Sequence, residues 1–407
     1  MGAATRGELS SLLQKEPMEL AMKCNDLSRS LVAFDQNSTL VAVVELSLNS
    51  WVAAGVVPGL GRDPVKKQSA DCNALLKLLH RWRDEAIKAG GEIKRMVVAF
   101  EAGRDGFWLA RWLRDQGIEV YVIHPTSVAV SREPRRAKSD RLDTQMLKRA
   151  VLGWLRGEPK HCSMVEIPTL AQEDAKRPNR EHEHLVGERT RIVNRMKATM
   201  ARHGIRGFKL NLRKARKQFA ELRMPEGEPL PPNTLAELER DLARLQQVRD
   251  QINTIEKQRL KRLRQAPQEG PHPMILLLAK VLGVGIETAD MLVNEALWRN
   301  LRDDRAIGRY AGMTGSPDES GSKRREKGLA RAGNARVRRG MVQLAWRWLM
   351  FQKESALTKW FRARTAGGPR DVRKTMIVAL ARKLLIALWR YVTTGEVPAG
   401  AKLRPAV

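Results

Sequence analysis

Apolar and polar positions alternate in two different ways along the chain, and this difference divides it into regions. From about residue 28, short apolar runs alternate with segments whose apolar positions recur every three or four residues. The runs SLVAF, TLVAVVEL, MVVAF and EVYVI predict buried strands, and DCNALLKLLHRWRDEAIKAG predicts a helix. Such alternation is typical of an α/β domain with a largely parallel sheet. We predict this domain over residues 28–165, opening with a hairpin whose turn lies at residues 36–39.

Residues 175–268 have a long, charged and helical pattern, which the Pro-rich stretch MPEGEPLPPN interrupts. From Leu235 to Ile255, apolar residues stand three or four positions apart with charged residues between them. This spacing predicts a coiled coil or helical hairpin that holds two domains or protomers together, and a helix packed on its own domain is the open alternative. A last, mostly α domain is predicted over residues 270–395, where GVG divides two short helices as in a helix-hairpin-helix.

The charge of the chain indicates the kind of partner. The 407 residues include 74 Lys and Arg against 45 Asp and Glu, a formal net charge of +29. This excess favours nucleic acid over a membrane as the partner, and no stretch has the roughly 20 apolar residues of a membrane helix. The three cysteines, Cys24, Cys72 and Cys162, are too widely spaced for a zinc site or a disulfide framework, and they predict reduced thiols in a cytoplasmic protein.

Four acidic residues stand at predicted strand ends and on one predicted helix face. Asp35 ends the run SLVAF, and Glu101 ends the run MVVAF. Asp140 and Asp143 are three positions apart in SDRLDTQML, so a helix places both on one face. Any one of these acids alone is more typical of solvated surface. Together they would repel one another unless a cation lay among them, so the sequence predicts a Mg²⁺ site.

Basic residues surround these acids and also follow the pair Ser320 and Gly321. A serine hydroxyl is a poor nucleophile unless its proton is removed and the charge on its target is stabilised. Arginines can stabilise that charge if the target is a phosphodiester. The residues predicted to contact nucleic acid are Arg135, Arg136, Lys138, Arg141, Lys323, Arg324, Arg325, Arg331, Asn334, Arg336, Arg338 and Arg339.

These segments, in this order, resemble the DEDD transposases of the bacterial "one-ten" insertion-sequence family. The resemblance rests on VVAFEAG, AKSDRLDTQML, the GVG helical hairpin, YAGMTGSPDESGS and GLARAGNARVRRG. It implies an N-terminal RuvC-like, ribonuclease-H-type fold, a coiled-coil middle and a C-terminal transposase domain with a nucleophilic serine. By position, the acidic tetrad is Asp35, Glu101, Asp140 and Asp143, and the serine is Ser320.

The same resemblance implies an activity and its partners. The activity is DNA recombination through a covalent serine–DNA linkage, in which the carboxylate site completes the catalytic centre. A structured bridge RNA pairs with target and donor DNA, and the protein works as a dimer or tetramer in the bacterial cytoplasm, at the nucleoid.

The chain departs from the family pattern at two places, and other functions stay open. LGVG replaces the usual turn, and MTGSPDE adds Ser316 as a rival to Ser320, as Ser322 also is. Ser320 is favoured because the family pattern fixes the Ser-Gly pair. One alternative is a metal-dependent nuclease of the Holliday-junction type, in which water replaces the serine. The other is a non-catalytic scaffold that binds RNA or DNA.

Overall fold

The computed structural model describes two compact units, which meet in sequence between Leu170 and Ala171. The described residues are 29–103, 106–128, 140–158, 161–207, 214–299, 301, 303–320, 323–329 and 333–404. Some residues within the helices and strands are described by their backbone alone. Each unit has its own hydrophobic core, so each is described by itself.

The first unit is built on a six-stranded sheet with the order β3-β2-β1-β4-β5-β6. Its strands are β1 (Thr39–Leu46), β2 (Ser50–Val56), β3 (Val65–Ser69), β4 (Arg95–Glu101), β5 (Glu119–Ile123) and β6 (Met164–Val165). β1 is antiparallel to β2 and parallel to β4, and β4 is parallel to β5. This confirms the predicted α/β unit with an initial antiparallel hairpin. The sheet is mixed rather than largely parallel, because β2 and β3, and β5 and β6, also pair in antiparallel orientation.

The hairpin is formed by different residues from those predicted. β1 and β2 are joined by residues 47–49, whereas the predicted turn at residues 36–39 precedes β1. The run SLVAF is not a strand, because Leu31 and Val32 are exposed to solvent and pair with no strand of the described sheet. The chain turns after Asp35, whose carboxylate accepts hydrogen bonds from the Asn37 amide at 2.9 Å and from the Ser38 hydroxyl, as in an Asx-turn.

Three helices cover the two faces of this sheet. They are α1 (Cys72–Lys88), α2 (Trp108–Asp115) and α3 (Asp140–Leu155). α1 begins where the Asp71 side chain accepts hydrogen bonds from the amides of Asn73 and Ala74, which satisfies two free donors of the first turn. α1 and α2 pack on one face of the sheet, and α3 packs on the other. The central strands are therefore apolar on both sides, as in most parallel sheets.

The second unit is mostly helical, as predicted. The short helix α4 (Leu170–Asp174) begins at the boundary, a π-helical turn (Val293–Leu297) follows α9, and the strands β7 (Gly315–Ser320) and β8 (Lys323–Leu329) form a hairpin. The other helices are α5 (Arg177–Arg202), α6 (Ala215–Glu221), α7 (Pro232–Gln265), α8 (His272–Ala279), α9 (Ile286–Leu292), α10 (Asp304–Tyr310), α11 (Ala335–Phe351), α12 (Ala356–Thr365) and α13 (Arg370–Thr394). None of the described helices combines the length and the hydropathy needed to cross a membrane.

The apolar stripe of α7 is buried within its own chain. Leu242, Leu245 and Ile252 of α7 belong to one core with Ile192 and Met196 of α5. This packing accounts for the predicted three-four spacing without a second protomer. The structure therefore agrees with the predicted helical hairpin, which lies within one domain, and a coiled coil between protomers is not confirmed.

Buried polar side chains attach the α5–α7 hairpin to the helices that follow it. Arg259 of α7 donates hydrogen bonds to Asp290 of α9 at 2.7 Å and to Asn179 of α5 at 2.9 Å. All three residues are buried. Removing one partner of a buried pair leaves an uncompensated charge, which typically costs about 3–5 kcal/mol. The base of the hairpin is thus fixed to α9.

The two short helices predicted around GVG are α8 and α9. Gly283 adopts a φ of +92°, and a Cβ built there would lie 3.1 Å from the Cβ of Phe351. Only glycine fits such a position without strain. The carbonyl oxygen of Leu282 accepts a hydrogen bond from the Gln352 side chain at 2.7 Å. The turn is therefore stabilised by a hydrogen bond from a side chain of the same unit and by close packing against Phe351.

Candidate active site

The first unit carries two glutamates at one edge of its sheet. The parallel register of β1 and β4 places Val44 beside Phe100, so Glu45 and Glu101 follow as neighbours along the two strands. Adjacent strands lie about 4.8 Å apart. Glu45 is half-buried and Glu101 is exposed. The structure thus places one predicted site residue, Glu101, next to an acid that the sequence pattern did not single out, Glu45.

Both glutamates lie on the face of the sheet that α3 covers. Side chains of a strand alternate between the two faces, and Val43 and Ala99, two positions before the glutamates, pack against α3. The first turn of α3 carries Asp140 and Asp143. Asp143 is half-buried, whereas the side chain of Asp140 lies outside the described part of the chain. Three elements that meet on one side of the sheet therefore carry four acidic residues.

Asp35 lies at the opposite edge of the sheet, so its predicted position beside Glu101 is wrong. β1 starts at Thr39, whose neighbour on β4 is Arg95. From Arg95 to Glu101 a strand advances about 20 Å, at about 3.3 Å per residue. The physical reason is that Asp35 precedes the first strand instead of ending one.

The surroundings of Asp35 explain its conformation without a metal ion. The Ser38 hydroxyl, and after it the Asn37 amide, lower the pKa of Asp35, and Lys94 has a smaller effect in the same direction. The amide of Lys94 also donates to the carbonyl oxygen of Ser38 at 2.9 Å. Asp35 therefore stabilises the turn that leads into β1.

Glu45 has the same local signal that identifies Glu101. Each is an acid that directly follows a run of apolar residues, in LVAVVE and MVVAFE. The sequence prediction joined SLVAF to TLVAV in a hairpin and so gave the first strand end to Asp35. Which strand pairs in parallel with MVVAF is a tertiary property, and it becomes visible only in the sheet register.

The acidic residues of the first unit offer the ligand type of a hard divalent ion. Glu45, Glu101 and Asp143 supply carboxylate oxygens, which Mg²⁺ prefers. Among the described side chains, the carboxylate oxygens of these three residues do not all lie within 4.8 Å of one another. Unshielded carboxylates repel one another. The donor chemistry therefore fits a divalent ion that would draw these groups together.

A compact group of metal-capable side chains occurs in the second unit, where it makes a bridge between helices. The ligand atoms of His182, Glu256 and Glu287 lie within 4.8 Å of one another. The His182 Nε2 is 3.1 Å from Glu256, and its Nδ1 is 3.1 Å from Glu287. The buried imidazole of α5 therefore lies between a hydrogen-bonded carboxylate of α7 and a second carboxylate of α9.

Ser320 is the last residue of β7 and pairs with Lys323, the first residue of β8. For this hairpin the structure describes the backbone, which places Ser320 next to the two-residue connection and Ser316 near the start of β7. Five predicted site residues lie outside the described ranges, namely Ser322, Arg135, Arg136, Lys138 and Arg331. Arg141, Arg324 and Arg325 belong to elements described by their backbone.

Asn334 forms the N-cap of α11. Its Oδ1 accepts hydrogen bonds from the amides of Arg336 at 3.0 Å and Val337 at 3.3 Å, and its Nδ2 donates to Glu295 at 3.0 Å. The preceding Gly333 has a φ of +129°, and a Cβ there would lie 2.5 Å from the Tyr310 carbonyl oxygen. Gly333 and Asn334 are thus held by close backbone contact and by helix capping.

The arginines that follow Asn334 also contact protein groups. Arg336 donates to Glu183 of α5 at 2.7 Å, and Arg339 pairs with the same carboxylate. Arg338 donates to the carbonyl oxygen of Ala311 at 3.5 Å. Arg336 and Arg339 therefore connect α11 to α5, and their charge is partly balanced by Glu183.

We expect Asn334→Ala to lower the free energy of unfolding by about 2 kcal/mol, because it removes the cap and a hydrogen bond to buried Glu295. Urea unfolding of the full chain, followed by tryptophan fluorescence, measures the loss. Asn334→Ser keeps a capping hydroxyl and should lose less. Unchanged stability combined with a lower salt slope of nucleic-acid binding would instead assign Asn334 to phosphate contact.

Acids at one end of the central strands of a mixed sheet and a net charge of +29 over the whole chain are compatible with a protein that acts on nucleic acid. A model of the Transposase IS116/IS110/IS902 family matches residues 276–360, and a model for DEDD transposases of the IS110 type matches residues 63–205. "Putative transposase y4rJ" of Sinorhizobium fredii (strain NBRC 101917 / NGR234) is 39% identical over 375 residues, covering 89% of this chain and 93% of that protein.

The chain belongs to the IS110 family of insertion-sequence transposases. The predicted family is thereby confirmed. Membership makes the protein a transposase whose substrate is DNA, which agrees with its net charge of +29.

Proposed function

We propose that this transposase cuts and rejoins DNA through a covalent serine–DNA intermediate, and that Mg²⁺ bound by Glu45, Glu101, Asp140 and Asp143 assists the reaction. The observation that carries the proposal is the register of β1 and β4, which makes Glu45 and Glu101 neighbours on the face covered by α3. Glu45 takes the place that the sequence gave to Asp35. The mixed sheet and its acidic edge support an assignment of the first unit to the RuvC-like class.

The carboxylates have a binding and orienting role in this proposal. A Mg²⁺ ion in such a site stabilises the negative charge that develops on phosphate oxygens. Glu45 and Glu101 extend from strands that are buried on both faces, so the sheet restricts where their carboxylates can move. Asp140 and Asp143 both belong to the first turn of α3.

Ser320 is the proposed nucleophile. Its oxygen attacks the phosphorus of a phosphodiester, a serine–phosphate bond forms, and the bond to the departing strand breaks. The serine proton leaves to a base, and the departing oxygen takes up a proton. The number of phosphoester bonds is conserved, so a second strand can displace the serine without an external energy source. The arginines proposed to balance the phosphate charge are Arg324, Arg325, Arg331, Arg336 and Arg338.

A structured guide RNA and self-association complete the proposal. The net charge of +29 favours polyanions as partners, RNA as well as DNA. The resemblance on which these two points rest is that of the VVAFEAG, AKSDRLDTQML and AGN segments. The apolar stripe of α7 is used within the chain, so a dimer or tetramer would form through other surfaces.

Mapping of the covalent linkage tests the function directly. The protein is incubated with Mg²⁺, DNA that contains an end of the element, and RNA transcribed from the element's flank, and is then separated on a denaturing gel. Trypsin cleaves after Arg309 and Lys323, so one peptide contains Ser316, Ser320 and Ser322. We expect nucleotides on Ser320, and none when EDTA removes the metal. Cleaved DNA without any adduct would instead identify a hydrolytic nuclease of the Holliday-junction type.

A further inference from the structure

The solvent-facing side of α11 carries a cluster of large apolar side chains. Trp346 is 41% exposed, Met350 is 67% exposed and Phe351 is 47% exposed. Residues four positions apart share one face of a helix, so Trp346 and Met350 are neighbours on the surface, and Phe351 directly follows Met350. Single exposed apolar residues are ordinary at a protein surface, whereas several that adjoin one another typically mark a binding site.

The core of the second unit is packed by a different face of α11. The buried residues of this helix are Val337, Met341, Leu344, Ala345 and Trp348. Trp348 is fully buried, and its Nε1 donates a hydrogen bond to the Ser355 hydroxyl at 2.9 Å. The two tryptophans of α11 therefore differ, since Trp348 fills the core while the ring of Trp346 is partly open to solvent.

Two exposed arginines accompany Trp346. The guanidinium carbon of Arg373, on α13, lies over the Trp346 ring at 5.9 Å from its centroid, which is within the range of a cation–π contact. Arg347 follows Trp346 in sequence and is also exposed. One of its guanidinium nitrogens lies 3.9 Å from the position of a Cβ built at Gly285. The exposed face of α11 therefore adjoins the turn between α8 and α9.

The charge of this face is positive and favours one kind of occupant. The nearby acids are each paired with a lysine, Glu354 with Lys359 at 3.5 Å and Asp371 with Lys374 at 3.3 Å. Among the described residues, Arg347 and Arg373 have no acidic partner. A two-fold contact with a second copy would place these arginines against their own counterparts, which is unfavourable. A polyanion with flat apolar groups is complementary to both the charge and the exposed ring.

We propose that this face binds an unpaired stretch of nucleic acid, in which one base stacks on Trp346 while Arg347 and Arg373 bind the adjacent phosphates. Every base has a π face, which a single strand can offer to an aromatic side chain. A guanidinium that contacts a ring through its own plane keeps its N–H donors for phosphate oxygens. The inference goes beyond the proposed function, because it requires neither the serine nor the metal ion. Single-stranded DNA and RNA share this chemistry.

Trp346→Leu tests the stacking contact, because leucine is apolar but has no ring. Binding of the full chain to single-stranded DNA, single-stranded RNA and duplex DNA of equal length is measured in EDTA over a range of salt concentrations. We expect about tenfold weaker affinity for DNA single strands, RNA single strands or both, with an unchanged salt slope, and no change for the duplex. Trp346→Phe keeps a smaller ring and should recover most of the loss. The matched control is Trp298→Leu, since Trp298 is 38% exposed in the same unit.

Arg373→Met tests the phosphate contact and should have a different signature. Loss of one phosphate contact lowers the salt slope of single-strand binding by about 0.7. The matched control is Arg390→Met, an exposed arginine of the same helix that pairs with Asp304 at 3.2 Å. It stands 17 positions away, about 25 Å along α13 at 1.5 Å per residue. Equal changes of the slope in the two variants would show a general effect of net charge and would overturn the assigned role of Arg373.

A fluorescent base separates stacking from a structural role of Trp346. The fluorescence of 2-aminopurine in a single strand falls when the base stacks on an indole ring. We expect this quenching with the unaltered protein and much less of it with Trp346→Leu at saturating protein. The melting temperature without nucleic acid should be similar in both proteins, because the replaced side chain is exposed.

Three results would overturn the proposal. One is equal quenching and equal single-strand affinity in Trp346→Leu and the unaltered protein. Another is an equal loss of affinity in Trp298→Leu. The third is a changed oligomeric state of Trp346→Leu in gel filtration with unchanged single-strand affinity, which would make the face an interface between copies. Binding in EDTA involves no chemistry at Ser320, so failure of the serine mechanism would leave these outcomes unaffected.

Discussion

Glu45→Gln should abolish recombination, by about a thousandfold or more, whereas Asp35→Asn should leave it close to that of the unaltered protein. Glutamine keeps the shape of the side chain but removes one of the charges that bind a divalent ion. Glu45 lies beside Glu101 on β1 and β4, while Asp35 belongs to the turn at the opposite sheet edge. Recombination is measured by joining of element-end and target DNA in the presence of Mg²⁺.

The two variants form a matched pair, since each replaces one carboxylate of the same unit by its amide. Glu101→Gln should behave as Glu45→Gln does, and binding of DNA should persist in all three. If Asp35→Asn abolished joining while Glu45→Gln did not, the acidic edge of the sheet would not be the metal site. Isothermal titration calorimetry with Mg²⁺ provides a second readout. Glu45→Gln and Glu101→Gln should each lower the affinity of the protein for Mg²⁺.

Ser320→Ala should remove the covalent protein–DNA adduct and lower strand joining by at least about a thousandfold. The change deletes only the hydroxyl oxygen, so the hairpin of β7 and β8 should still form and DNA affinity should change little. Adducts are measured as labelled DNA that stays with the protein on a denaturing gel. Joining is measured in the same reaction by the length of the product strands.

Ser316→Ala and Ser322→Ala are the controls for this variant, because both serines lie in the same segment. Both should keep adduct formation near the level of the unaltered protein. Normal adduct yield from Ser320→Ala, with loss in one of the controls, would move the nucleophile to that serine. Retained cleavage and no adduct in any of the four proteins would assign the reaction to an attacking water molecule.

Local patterns predicted most elements of the fold but not how the strands pair. The runs TLVAVVEL, MVVAF and EVYVI became β1, β4 and β5, and the helix with Asp140 and Asp143 was located correctly. SLVAF has a similar composition, yet it is not a strand. Both edges of β1 are already paired, one with β2 and the other with β4. Glu45 was missed for this reason, because its neighbour Glu101 lies 56 positions further along the chain.

Long-range contacts also decide the roles of residues in the C-terminal unit. Asn334 lies in a basic segment, which predicts contact with nucleic acid. In the structure its side chain caps α11 and donates a hydrogen bond to Glu295. The stripe from Leu235 to Ile255 predicted a partner helix correctly, while the identity of that helix, α5, is set by packing.

The buried contacts of Arg259 give the long helical hairpin a mechanical property. α7 has 34 residues, which corresponds to about 50 Å at 1.5 Å per residue, and Arg259 is close to its C-terminal end. Hydrogen bonds from Arg259 to Asp290 and Asn179 fix that end of α7 to α9 and α5. The hairpin therefore has a fixed direction relative to these helices. A molecule that binds near Pro232, at the other end of α7, would therefore also determine the orientation of α9, about 50 Å away.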